Sequence, residues 1–293
     1  MHPNLLALGA ILLWSSLATL GVSLAELPPF LLTGLALLIG SLPAWPLWRQ
    51  WRVPPLTLAL GVGGLFGYHF LLFIGLRLAP PVEANLVNYL WPLLIVLLAP
   101  VLLPGIRLRP AHVLAGLLGF SGAALAILGG SDPTAADADT DTGTLAWAGY
   151  LAAAAAAFTW AAYSLLTRRV AAFPTGAVGL FALLSGLLSL LCHLLLEPST
   201  ALDATDLGLV TLIGLGPMGA AFYLWDRALK TGDARTIGLL SYLTPLGSTS
   251  LLLVSTGRAF STTLTLATVM IVGSALLGLR TGRGDASPRT TAK

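Results

Sequence analysis

GVGGLFGYHFLLFIGLRLAPPVEANLVNYLWPLLIVLLAP, residues 61–100, decides the fold. It reads as two apolar helices joined at the tight break Leu78-Ala79-Pro80-Pro81. The first carries Gly63, Gly67, Tyr68 and His69; the second carries Asn85, Asn88, Tyr89, Trp91 and Pro92. Nearly everything around them is Leu, Ile, Val, Phe, Gly or Ala. A histidine and two asparagines in such a setting are costly unless they line a cavity or find partners.

The stretch has an echo. Shifted by 153 positions, Gly61-Val62-Gly63 lies over Gly214-Leu215-Gly216, and Arg77 lies over Lys230. Tyr89-Leu90-Trp91-Pro92-Leu93 lies over Tyr242-Leu243-Thr244-Pro245-Leu246. Residues 61–98 and 214–251 share 10 identities in 38 ungapped positions. The Tyr-Leu-x-Pro-Leu match makes this an internal duplication rather than shared Leu/Gly bias.

Composition sets the solvent. The chain is 56% hydrophobic and 9% charged, with a mean hydropathy of +0.88. Soluble domains carry about 25% charged residues, so this is an integral membrane protein, and its long uncharged segments favour helices over a β-barrel. Ten spans fit, near 4–24, 29–48, 56–78, 81–103, 111–130, 145–168, 176–196, 207–229, 232–255 and 261–281. The first span lacks a basic leader region and a clear cleavage site, so it is expected to be retained. With the N-terminus in the cytoplasm, 13 of the 15 Lys and Arg residues fall on the cytoplasmic side; only Arg77 and Arg258 fall outside. This charge bias supports the span count and places both termini in the cytoplasm.

The expected architecture is all-α and integral to the membrane: ten transmembrane helices as two inverted five-helix repeats. Residues 1–130 form the first repeat, 131–144 an acidic linker outside, 145–281 the second repeat and 282–293 a basic cytoplasmic tail. An odd number of spans per half turns the second repeat over. Inverted repeats are an architecture of transporters, with a site between the repeats near the midplane. Trp14, near the end of Ala7–Trp14, pairs with Trp160, near the end of Ala153–Trp160.

Tryptophans in helices one and six, and Tyr-Leu-x-Pro in helices four and nine, resemble the drug/metabolite transporter superfamily in its EamA-type branch. Gly67-Tyr68-His69-Phe70 and Asn88-Tyr89-Leu90-Trp91-Pro92 most resemble the bacterial aromatic amino-acid exporters within it. The resemblance covers about 4–281. It implies a ten-helix exporter of the bacterial inner membrane with a central cavity formed by both repeats. It also implies substrates such as aromatic amino acids or bulky cations like methyl viologen. Its motifs specify fold more than substrate.

Asn85, Asn88, Tyr89 and Pro92 lie at steps of three and four, so they share a helix face; two amides and a phenol there point to a bundle or cavity rather than lipid. Pro92 loosens the carbonyl of Asn88, and Pro245 does the same to Ser241. These matched breaks either expose backbone polar groups to a substrate or act as packing hinges. His69 is either a cavity donor and titrating group or a neutral core histidine bonded to a neighbour. His193, late in its span without polar company, reads as structural.

The mid-span aromatics Trp14, Tyr68, Tyr89, Trp91, Trp160, Tyr163 and Tyr242 suit a cavity for flat rings, or else ordinary packing. Trp45, Trp48, Trp51 and Trp147 read as interfacial anchors. Arg77 and Glu83 make a rim salt bridge or an outer gate; Asp226 pairs with Arg227 or Lys230 or guards the inner mouth. Gly63, Gly67, Gly214 and Gly216 are expected to let helices pack closely and slide.

Some chemistry has no residues to carry it. No phosphate-binding loop suggests ATP, no cofactor or metal cluster appears, and no nucleophile–base set supports an enzyme. The single cysteine, Cys192, forms no intrachain disulfide, and a net charge of +3 carries no nucleic-acid signal. His69 is the titrating candidate at mid-depth, which favours facilitated or weakly coupled movement. The expected partners are a small-molecule substrate and the bilayer. The expected function is export of aromatic amino acids or similar amphiphiles by alternating access. The alternatives are a broad drug or metabolite exporter and, further off, a channel or an intramembrane enzyme.

Overall fold

The computed structural model describes residues 2–130, 144–256 and 261–285. All but the last residue of the acidic linker expected over 131–144, and most of the tail expected over 282–293, lie outside the described residues. Among the described residues there are ten helices long and apolar enough to cross a membrane, and no strand. They are α1 (Pro3–Val22), α2 (Pro29–Trp51), α3 (Pro55–Leu78), α4 (Pro81–Leu102), α5 (Pro110–Leu128), α6 (Leu145–Leu166), α7 (Thr175–Leu196), α8 (Ala204–Thr231), α9 (Ala234–Ser255) and α10 (Thr262–Thr281).

Proline begins all five of the helices in the first half. At the first helical position its fixed φ suits the helix and its missing N–H has no intrahelical role. Aspartate caps the starts of α8 and α9: Asp203 accepts from the backbone N–H of Asp206, and Asp233 from that of Arg235. Each cap satisfies one of the orphan donors at a helix start.

The echo in sequence is also an echo in backbone. α3 widens into a π-helical turn at Gly63–Gly67, and α8 does so at Gly216–Ala220. The following helical segments, Tyr68–Leu78 and Ala221–Thr231, coincide under the same shift of 153. α4 breaks at Tyr89–Leu90 and α9 at Ser241–Tyr242. The packing follows suit. α1 packs on α8 and α3 on α6; α2 packs on α7, α4 on α9 and α5 on α10. Exchanging the two halves leaves this pattern unchanged. One departure is α1, which bends at Ser16, where α6 runs unbroken through Thr144–Leu166.

Glycine permits close approach at Gly64 and Gly214. A Cβ on Gly64 would fall 2.3 Å from Cγ of Tyr163, and one on Gly214 would fall 2.8 Å from the Ala36 carbonyl. Of the four glycines expected at close contacts, only Gly214 is so placed; Gly63 has open space beside it, and Gly67 and Gly216 meet their nearest neighbours at ordinary distances.

Basic side chains gather at one end of the bundle. There Arg168 donates to the Gly232 carbonyl at 3.1 Å, Arg169 to Leu102 at 3.0 Å and Arg235 to Arg107 at 2.5 Å. These bonds tie the α4–α5, α6–α7 and α8–α9 connections together. At the opposite end Glu197 accepts from the backbone N–H groups of Phe30 and Leu31, capping α2, and Tyr150 donates to Glu83. His193 also meets Glu197, at 3.0 Å. This corrects the expectation that it has no polar company: one turn of helix brings residue i+4 alongside.

Candidate functional site

Four breaks converge on one space. The bend of α1 at Ser16, the π turns of α3 and α8 and the break of α9 all flank a cavity of about 1040 Å³. It runs from the turn between α1 and α2, past Arg77 and Asn85, down to Trp14, Trp91, Trp160 and Phe222. None of the connections at the basic end lines it.

Aromatic rings make its floor. Trp14 meets Trp91 edge-on at 6.3 Å between centroids and Trp160 at 5.9 Å. Phe222 lies 6.1 Å from Trp14 and 5.6 Å from Trp160. Edge-on aromatic pairs at such distances each contribute about 0.5–1.5 kcal/mol beyond their buried area. Trp225 lies against them, 5.1 Å from Trp14 and 1% exposed; its N–H donates to Ser164 at 3.1 Å.

The π turns hold the floor in place. A π turn loosens the regular ladder, and each turn supplies a carbonyl to a ring nitrogen. The Pro217 carbonyl, in α8, accepts from Trp14 Nε1–H at 3.1 Å. The Leu65 carbonyl, in α3, lies 2.7 Å from Nδ1 of His69. A carbonyl only accepts, so Nδ1 carries the hydrogen. Asn88 Nδ2 donates to the Tyr68 hydroxyl at 3.2 Å, linking α4 to α3. Oδ1 of Asn88 and Oγ1 of Thr244 are buried without a partner among the described residues.

Of the residues expected at a site, Trp14, Tyr68, His69, Asn85, Asn88, Tyr89, Trp91, Trp160 and Pro245 line this cavity, and Arg77 lines its mouth. Pro92, Tyr163, Ser241 and Tyr242 do not. The even face expected from Asn85 to Pro92 is interrupted, because α4 breaks at Tyr89–Leu90 and Pro92 opens the next helical segment. Pro92 therefore starts a helix rather than kinking one. Tyr163 packs behind Trp160, 5.4 Å away, and under Gly64. Tyr242 is fully buried in a satellite core with Leu93 and Ile271, and Ser241 donates to its own helix at Ile237.

Glu83 accepts from Tyr150 rather than meeting Arg77. Asp226 lies below the floor, 3% exposed. Its Oδ2 accepts from Lys230 at 2.7 Å and from Thr175 at 2.7 Å. Lys230 also donates to the Phe173 carbonyl at 2.9 Å and sits 3.5 Å over the Phe173 ring. This cluster joins α8 to the connection before α7.

The sequence reading missed Phe222, Trp225, Met218 and Thr244 at or under the cavity. The 153-residue echo places Phe222 over His69 and Thr244 over Trp91, so the duplication held a signal for two of them.

Comparison with known proteins agrees with this geometry. The EamA-like transporter family model matches twice, over residues 2–128 and 147–280. The chain is 43% identical to the aromatic amino acid exporter YddG of Ancylobacter novellus, over 93% of this chain and 95% of that protein. It is 30% identical to the aromatic amino acid exporter YddG of Escherichia coli, over 96% and 98% of the two chains. A solved crystal structure with 44% identity superposes with a TM-score of 0.86, covering 96% of this chain and 98% of that one. Ten membrane helices around an aromatic-floored cavity, together with two matches spanning both halves, mean that the chain belongs to the EamA-like transporter family.

Proposed function

We propose that the protein exports aromatic amino acids across a bacterial inner membrane by alternating access. The observation that carries this reading is the cavity floor: three tryptophans and a phenylalanine around a space with neutral polar groups on its walls. Such a floor gains from stacking a flat ring. The relatives named as aromatic amino acid exporters support the same substrate class. No ATP-binding element enters this reading.

In this reading the basic end, with both termini, faces the cytoplasm, as the bias of Arg and Lys requires. The described state is then open outward and shut inward. The halves form an inverted repeat: five spans per half turn the second over, and the exchange symmetry of the packing supports this. The mouth is at Arg77, with Glu83 holding the adjacent α4–α6 contact through Tyr150. The Asp226–Lys230 cluster is the inner latch, which separates when the cavity opens to the cytoplasm.

A second reading is a broader exporter of amphiphilic cations. The cavity of about 1040 Å³ lies at the upper end of ordinary ligand sites, about 300–1,000 Å³, and indole faces attract cations. Uptake of labelled tryptophan, phenylalanine, threonine and methyl viologen into proteoliposomes, with and without a pH gradient, separates the two. Flux of the two aromatic amino acids above empty vesicles, with little for threonine, supports the first reading; methyl viologen alone supports the second. No flux of any of the four from folded protein removes both.

A further inference from the structure

The polarity of the cavity wall is set by hydrogen bonds behind it. His69 is 7% exposed and Asn88 4% exposed, and both line the cavity. His69 spends its Nδ1–H on the Leu65 carbonyl, so the neutral ring has only the lone pair of Nε2 left to offer. Asn88 gives one of its two Nδ2 hydrogens to Tyr68, and its Oδ1, buried just behind the wall, has no partner among the described residues. Two neighbouring helices thus hold acceptors at the wall, and an acceptor buried without a partner carries a desolvation cost that a ligand N–H relieves once the Asn88 side chain turns towards it. Their backs are fixed by the π turn of α3 and by the Tyr68 ring, which stands 4.9 Å from the His69 ring.

We infer that His69 Nε2 and Asn88 Oδ1 form an ammonium subsite, so that the cavity recognises the α-ammonium of an aromatic amino acid on the α3–α4 side. This rests on the proposed transport of aromatic amino acids and adds which charge is read where. The carboxylate is left to donors elsewhere on the wall. The Thr244 hydroxyl, which lines the cavity and has no partner among the described residues, serves in either role.

The test pairs loss of the ammonium from the ligand with loss of the acceptors from the protein. Binding of tryptophan, tryptamine and indole-3-propionate to purified protein is measured by equilibrium competition. The wild type is expected to bind tryptophan and tryptamine about tenfold or more tighter than indole-3-propionate, the scale of one hydrogen bond to a charged group. In His69→Phe and Asn88→Leu the preference collapses towards one, with indole-3-propionate affinity unchanged. Asn88→Asp, which keeps the shape and the acceptor, retains it and serves where the apolar variants do not fold.

Three results overturn the assignment: indole-3-propionate bound as tightly as tryptophan by wild type, a preference unchanged in all folded variants, or equal loss of all three ligands. Tryptophan binding without amine preference sinks the subsite alone. No binding of tryptophan at all sinks the transport reading with it.

Discussion

Trp91 stands at the first turn after the break in α4, where its ring meets Trp14, Trp160 and Trp225. Replacing it with alanine removes one wall of the floor and several aromatic contacts while leaving the helix start, with Pro92, intact. Trp91→Ala is expected to lower tryptophan transport about tenfold or more, with the protein still monodisperse and folded; size-exclusion chromatography beside flux checks both. Wild-type flux in that variant removes Trp91 from the site. At this scale the polar residues of α3 and α4 were legible because an amide or imidazole among leucines demands an explanation. Trp225 was not, since nothing local distinguishes a tryptophan in the floor from one beneath it.

The elements are held by two devices. One is close packing at small residues. Gly64→Val brings a side chain into Tyr163, 2.3 Å from the would-be Cβ, and such overpacking costs about 1–3 kcal/mol. Its thermal unfolding midpoint in detergent is expected to fall, and Gly63→Ala, with open space beside it, serves as the matched variant with little change. The other device is the buried Asp226–Lys230 pair, the proposed latch. Lys230→Ala leaves Asp226 buried without its cation, a loss of about 3–5 kcal/mol for a broken buried pair. With the proposed orientation that loss falls on the inward-closed state, so a cysteine at Ser164, beneath the floor, is expected to gain reactivity with a cytoplasmic-side thiol reagent in Lys230→Ala, in a Cys192→Ala background. Unchanged reactivity would show that the pair does not hold the gate. The π turns were beyond reach of periodicity, because a single wide turn hardly alters the apolar pattern around it.

For the whole molecule, the charge bias makes a topological prediction. In intact cells, Arg77→Cys is expected to be labelled by a membrane-impermeant maleimide, and Arg168→Cys only after permeabilisation. Both substitutions sit at exposed ends, so folding should survive them. Labelling in the reverse order would turn the molecule over and with it the direction assigned to the open mouth. The state described here closes the basic end with three arginine-to-carbonyl bonds across separate connections. These groups are replaceable by water when the end opens, which suits a contact that forms and separates.

The sequence by itself determined the solvent, the ten spans, their charge bias and the duplication, because each rests on composition and spacing summed over many residues. It also named most of the polar and aromatic residues on the cavity wall, since such groups in a membrane-spanning helix demand an explanation. The tertiary structure decided the rest. It showed that Tyr163, Ser241 and Tyr242 all face away, that Glu83 meets Tyr150, and that His193 and Asp226 have distant or one-turn partners. It also set the hydrogen-bond polarity of His69, through a carbonyl released by a π turn. Facing and partnership depend on where helices break and cross, and those are fixed by contacts between residues as far apart as Trp14 and Pro217.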